Sequence, residues 1–175
     1  IVCGTYGKYV PLFMQQYMEF KKLSKKKRAN YIGVKYHIKA NLPGHRIELH
    51  NFKDGYCGIS RVENGLYCLC YLSHADNLRR YDGDIKLMEE KVLYKNPYLK
   101  KYFTEAEFVD KTPLVISNVK FHKKHTSVNG LFLLGDAAGS ITPLCGNGMS
   151  MAMRASKMLT YELKQYFEGT ISRTE

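Results

Sequence analysis

The chain has 175 residues, room for one sizeable core and a small second module, and its 45% hydrophobic and 13% aromatic content excludes the disordered class. A formal charge of +11 invites a nucleic-acid or anionic-membrane partner, but six basic residues are concentrated in one run, residues 21–28. No stretch reaches the roughly 18 uninterrupted apolar residues of a membrane span, and the N-terminus lacks the basic-then-apolar order of a signal peptide.

Residues 1–8 read as a short strand and a tight glycine turn, starting without Met in an apolar pair as an excised fragment would. Residues 9–30 read as irregular chain ending in the basic run. That run lacks the interleaved aromatics of a single-strand binder and any zinc or helix-turn-helix spacing, so it reads as a solvated loop with no nucleic-acid partner. A non-enzymatic basic domain that binds nucleic acid or an anionic surface is the alternative.

Residues 31–39 alternate, with Ile32, Val34, Tyr36 and Ile38 on one face and Lys35, His37 and Lys39 on the other, the period of a half-buried strand. Residues 46–52 and 65–73 repeat the pattern. Asp54-Gly55 and Glu63-Asn64-Gly65 supply turn chemistry between them, which predicts an antiparallel meander. A helix is expected over residues 84–94, stopped by Asn96-Pro97, then a short helix over 98–103 and a capping box at Thr104 and Glu107. Residues 113–121 read as a further strand of the same sheet.

Five cysteines form neither a CxxC pair nor a ligand set with the histidines, so no metal is expected, and the odd count suits a reducing cytoplasm. Cys68 and Cys70, two apart in a strand, share one side and read as reduced packing residues.

An apolar run, Leu131 to Leu134, then reads as a buried strand ending in Gly135-Asp136. A loop with Gly139, Pro143, Gly146 and Gly148 follows, and a helix is expected over residues 149–167. Strand, small-residue loop and helix N-terminus make a place where a polar, phosphorylated ligand can lie against backbone N–H groups. The same string would also serve an ordinary connection whose glycines make the turn and whose Asp caps the helix.

Gly135-Asp136-Ala137-Ala138-Gly139, with Pro143, Gly146, Asn147 and Gly148, resembles the second FAD-binding motif of a flavoprotein superfamily. That superfamily includes aromatic-ring hydroxylases, geranylgeranyl reductases and flavin-dependent halogenases. The resemblance implies that Gly135, Asp136, Ala137, Gly139, Pro143, Gly146, Asn147 and Gly148 bind FAD, with Asp136 on the ribityl chain. It also implies an α+β chain, part of an FAD/NAD(P)-binding α/β fold, in which an antiparallel substrate-domain sheet precedes a strand, loop and long helix. Residues 1–8 would end the FAD-binding domain, residues 9–128 would form the inserted substrate domain, and residues 129–175 would return to the FAD-binding domain.

Three departures qualify the resemblance. The chain lacks a strand-GxGxxG-helix unit with an acidic residue about 20 positions later, the element that holds the ADP half of FAD. The partner expected is therefore a missing N-terminal FAD-binding half, and the isolated chain is expected to bind FAD weakly and to be inactive. At Gly4-Thr5-Tyr6-Gly7-Lys8 the hydroxylases carry a Gly-Ala-Asp-Gly string linked to FAD and to the pyrophosphate of NAD(P)H. Tyr6 stands where the acid would be, which weakens NAD(P)H binding in the hydroxylase manner and leaves a different electron donor open. At residues 55–61 the reductases carry a Gly-Tyr-x-Trp-x-Phe-Pro string. Here Gly55 and Tyr56 remain, Gly58 replaces the tryptophan, and Ser60-Arg61 replaces Phe-Pro. Tyr56, Gly58 and Arg61 are the expected substrate-binding residues, with a glycine bulge and a surface arginine as the plainer alternative.

No catalytic residue can be named, since the histidines are scattered. Cys145, beside Gly146, is either a packing residue or a flavin-facing thiol. The expectation is a fragment of a cytoplasmic FAD-dependent oxidoreductase, a dehydrogenase or reductase acting on an apolar or aromatic small molecule. An aromatic monooxygenase is the alternative enzyme.

Overall fold

The computed structural model describes residues 1–15, 29–121 and 125–172. The basic run at residues 21–28 lies outside them. In chain order the elements are β1 (Val2–Gly4), α1 (Leu12–Gln15), β2 (Tyr31–Lys39), β3 (Glu48–Phe52), β4 (Gly55–Arg61) and β5 (Tyr67–His74). Three helices follow, α2 (Ala75–Arg79), α3 (Ile85–Val92) and α4 (Pro97–Glu105). The chain continues with β6 (Glu107–Phe108), β7 (Leu114–Val119), β8 (Ser127–Val128), β9 (Leu131–Leu133) and α5 (Gly148–Phe167). These elements fall into two compact units, Ile1–Lys27 with Phe121–Glu175, and Arg28–Lys120.

The central unit, Arg28–Lys120, is a six-stranded sheet ordered β3-β4-β5-β2-β6, with β7 also paired to β2. Strand β2 pairs antiparallel with β5 from Tyr31 to Ile38 along one edge, and β7 and β6 share its other edge. Alternation decides what the sheet buries. Ile32, Val34, Tyr36 and Ile38 lie with Cys57, Ile59, Tyr67, Leu69 and Tyr71 against Met88, Val92, Leu93 and Leu99 of the helical segment. The opposite face carries Gly33, Lys35, Tyr56, Gly58, Cys68 and Cys70, as the pairing of Gly58 with Cys70 and of Cys70 with Lys35 requires.

That face corrects the reading of the cysteines. Cys68 and Cys70 do share a side, but it is the open one: Cys70 is exposed, and Cys57 on the other face is the packed thiol. Turn chemistry is likewise redistributed at residues 52–55. Asp54 takes the left-handed conformation at φ 62°. Gly55 is needed because a Cβ there would strike the Leu72 carbonyl oxygen and the Phe52 ring.

The expected capping box at Thr104 does not form. Thr104 is in the last turn of α4, where its hydroxyl donates back to the Lys100 carbonyl at 2.9 Å, and Glu107 starts β6 and pairs with Lys39 at 2.7 Å. No helix follows for the pair to cap. The working cap is Asn96, whose Oδ1 accepts from the backbone N–H of Tyr98 at 3.0 Å while its amide donates to the Asn51 carbonyl at 3.0 Å. Asn96→Ala is expected to cost about 1–2 kcal/mol, the usual weight of an N-cap, read as a lower denaturation midpoint at unchanged m-value.

One buried polar cluster crosses the core. Glu89, 5% exposed, accepts through Oε1 from the Tyr36 hydroxyl at 2.9 Å and the Tyr71 hydroxyl at 2.7 Å. Burial pushes the Glu89 carboxyl above its ordinary value, against the two tyrosine bonds that pull it down. The same burial, with the carboxylate alongside, pushes both phenols up.

The terminal unit has a three-stranded sheet ordered β1-β9-β8. Strands β1 and β9 are parallel, with Val2 opposite Leu131 and Gly4 opposite Leu133, so their carboxyl ends reach the same edge. Leu131, Leu133 and Ala137 form its small core. Helix α5 buries none of its residues, and Met149, Met153, Met158, Tyr161 and Phe167 are each more than half exposed. No helix among the described residues is long and apolar enough to cross a membrane.

Candidate functional site

The carboxyl ends of β1 and β9 open onto a cleft of about 440 Å³. Thr5 and Gly7 line it from the β1 side, Leu134, Gly135 and Asp136 from the β9 side, and Gly148, Met149, Ala152 and Ser156 from α5. The backbone continues the parallel pairing to the rim, where Leu134 N–H donates to the Gly4 carbonyl at 3.0 Å. One residue later the chain must turn. Gly135 does so at φ 58°, the left-handed region that disfavours a side chain, and a Cβ there would sit 3.6 Å from Ala152. A single 3-10 turn over Gly135–Ala137 then presents Asp136 outward and tucks Ala137 into the core at 1% exposure.

A second 3-10 turn, Pro143–Cys145, ends at Gly146 in the left-handed conformation at φ 65°. Asn147 follows as the residue before α5 and makes no side-chain capping bond, so the amides of the first turn are not closed off by it. The carboxyl ends of parallel strands beside a helix N-terminus form the crevice where α/β proteins hold anionic and polyhydroxyl ligands.

The structure therefore brings Gly135, Asp136 and Gly148 together and sets other expected residues differently. Pro143, Gly146 and Asn147 shape the approach to α5 and are exposed, but they do not line the cleft. Ala137 acts by packing, since its side chain is enclosed. Cys145 is exposed. Thr5 and Gly7 belong to the string already set against the hydroxylases' FAD-linked motif, whereas the sequence reading of the site left out Ala152 and Ser156. The signal for the last two was in plain view: Gly148, Ala152 and Ser156 recur every fourth position, which puts three small residues on one helix face.

In the central unit the expected substrate-binding trio is split. Tyr56 and Gly58 lie on the open face of β4, whereas Arg61, an odd number of residues away, falls on the opposite face with its side chain beside Gly44. Gly58 is regular strand rather than a bulge: it pairs with Leu49 on one side and Cys70 on the other. Among the described residues no group of histidines, cysteines and carboxylates could hold a metal ion.

Several solved structures resemble the chain. The flavin-dependent halogenase CmlS superposes with a TM-score of 0.66 at 19% identity, over 87% of this chain and 28% of that one. A flavoprotein/dehydrogenase from Cytophaga hutchinsonii gives 0.65 at 17% identity, over 86% of this chain and 38% of that one. The probable FAD-dependent monooxygenase PqsL of Pseudomonas aeruginosa gives 0.62 at 13% identity, over 98% of this chain and 48% of that one. The chain has the fold of part of these flavoproteins. By sequence it is similar to a digeranylgeranylglycerophospholipid reductase of Methanosarcina mazei, 37% identical over 75 residues, which is 42% of this chain and 18% of that protein. The chain thus spans under a fifth of the reductase it matches and less than half of each solved structure. No family model matches it.

Proposed function

We propose that the chain is part of an FAD-dependent oxidoreductase and that the Gly135–Asp136 cleft takes the ribityl and flavin portion of FAD. The observation that carries this reading is the parallel β1–β9 pair opening onto a cleft floored by a left-handed glycine and bounded by the start of α5. Gly135 leaves the floor free of a side chain, Asp136 offers a carboxylate to hydroxyl donors, and the small residues Gly148, Ala152 and Ser156 leave α5 open to close approach. When bound, FAD supplies the electron chemistry. These residues hold and orient it.

The chain contributes only part of such a site, because no GxGxxG unit is present to hold the ADP half. The exposed apolar side of α5 supports the same view, as a surface that the remainder of an FAD domain would cover. Separated from that remainder, the chain is expected to lose FAD on gel filtration. Flavin retained at one per chain would contradict this.

Within the class we favour a reductase or dehydrogenase acting on an apolar or aromatic small molecule. The sequence match to the Methanosarcina reductase and the retained Gly55-Tyr56 pair support that choice. The open sheet face suits such a substrate, with Tyr56 and Leu49 near Gly58, and with Ile116 lying over Gly33. A monooxygenase is the second reading, favoured by the 98% coverage against PqsL. Turnover of the whole protein with a chemical reductant, measured with and without oxygen, separates them: a reductase works anaerobically, and a monooxygenase requires oxygen.

A further inference from the structure

On the helix-covered face of the sheet, away from Tyr56 and Gly58, a cavity of about 850 Å³ lies between β3 and α4. Its volume is in the range of small-molecule sites. Its wall is unusual for the inward face of an edge strand. Opposite the buried Ile59 and Cys57, β3 presents Glu48 and His50 where apolar side chains would pack.

These two residues are locked. Glu48 Oε1 receives the Arg46 guanidinium at 2.5 Å, and Oε2 accepts from the Tyr102 hydroxyl at 2.6 Å and from His50 Nε2 at 2.9 Å. Burial acts against the Glu48 carboxylate, but the bonds from Tyr102 and His50 and the charge of Arg46 hold it below its ordinary value. An ionised carboxylate only accepts, so His50 Nε2 carries a proton and Nδ1 is the ring nitrogen that Glu48 does not use. The imidazole stacks on Tyr98 with centroids 5.7 Å apart and planes 24° apart.

Charge around the cavity is unevenly committed. Lys39 pairs with Glu107 and Arg46 with Glu48, whereas Lys101 makes no ion pair among the described residues. Glu105 is the one further acid in the lining. A flat stacked wall and an uncommitted ammonium are the parts that recognise a ring and an attached negative charge.

We propose that this cavity binds a small anion carrying a planar ring, seated on the His50–Tyr98 stack with its charge met by Lys101. The site is independent of the flavin reading, because it lies wholly in the central unit. The shared chemistry can come from an aromatic carboxylate or from a ring-bearing phosphate. Benzoate and adenosine monophosphate therefore serve as the two probes, with inorganic phosphate as the ringless control.

The test follows the His50 ring proton resonances of the chain by NMR during titration with each probe. Saturable shifts are expected with at least one ring-bearing probe, with inorganic phosphate weaker. Lys101→Gln, an exposed change that leaves the Glu48 cluster whole, is expected to raise the apparent Kd about tenfold, the weight of one charge-assisted contact. Shifts that do not saturate with either ring-bearing probe overturn the site. So does binding that leaves His50 unmoved, or binding that Lys101→Gln does not weaken. Phosphate binding as tightly as both other probes overturns the role of the ring.

Discussion

Asp136→Ala, made in the whole flavoprotein, is expected to weaken FAD binding by about 10- to 100-fold, the loss of one charge-assisted hydrogen-bonding group worth roughly 1.5–3 kcal/mol. The fold should not change. Asp136 is exposed at the rim of the cleft and its side chain fills no core position. Thermal denaturation of the apoprotein checks that half of the expectation, and flavin fluorescence titration checks the other. Gly135→Val makes a harsher companion, because it places a β-branched residue at φ 58° and aims it towards Ala152. That variant is expected to lose both flavin and stability, so Asp136→Ala is the cleaner probe.

The second large effect belongs to Glu89. Glu89→Ala would leave the buried hydroxyls of Tyr36 and Tyr71 without their acceptor and would open a void beside Tyr71, which is 1% exposed. A cost of about 3–5 kcal/mol is expected from two orphaned donors and the lost packing. Glu89→Gln behaves differently, since its carbonyl oxygen can still accept from both tyrosines while no charge is buried.

The sign of the pH dependence follows from the raised carboxyl pKa of Glu89. A group whose pKa is higher in the folded state contributes stability that is fully present below its unfolded pKa. That contribution is lost as pH rises through the folded pKa. The wild-type denaturation midpoint should therefore fall with rising pH across that window, and the Glu89→Gln midpoint should fall less. Parallel pH profiles for the two proteins would show that Glu89 carries no such linkage.

Much of the central sheet was legible because its strands obey a strict period of two. Residues 31–39 could be assigned to faces residue by residue, and the helix start at residue 84 was marked by an acid that does cap, with Asp84 Oδ1 accepting from Leu87 N–H at 3.0 Å. Strand β4 was marked by the resemblance at residues 55–61 and not by periodicity, because Gly55 and Gly58 dilute its pattern and only Cys57 and Ile59 are buried. Helix α2 was hidden. Its cap is His74, the last residue of β5, so no loop separates the two.

The candidate site was legible where a residue type has one physical use. Gly135 was read as the strand's end within the motif string, and its φ of 58° is one that favours glycine. Arg61 was not legible in the same way, since a substrate-binding arginine and a surface arginine differ only in which side of the strand they occupy. Pairing register decides that, and the register of β4 depends on β3 and β5 together. The Glu48–His50–Tyr102 cluster could not be read either, because 54 positions separate Glu48 from its tyrosine.

The most direct test of the flavin reading is the visible absorbance of the purified whole protein, taken after removal of free cofactor and again after incubation with FAD. A flavin spectrum at one per chain is expected, lost or much reduced in Asp136→Ala at unchanged fold. A folded whole protein that is colourless and takes up no FAD on reconstitution would contradict the account.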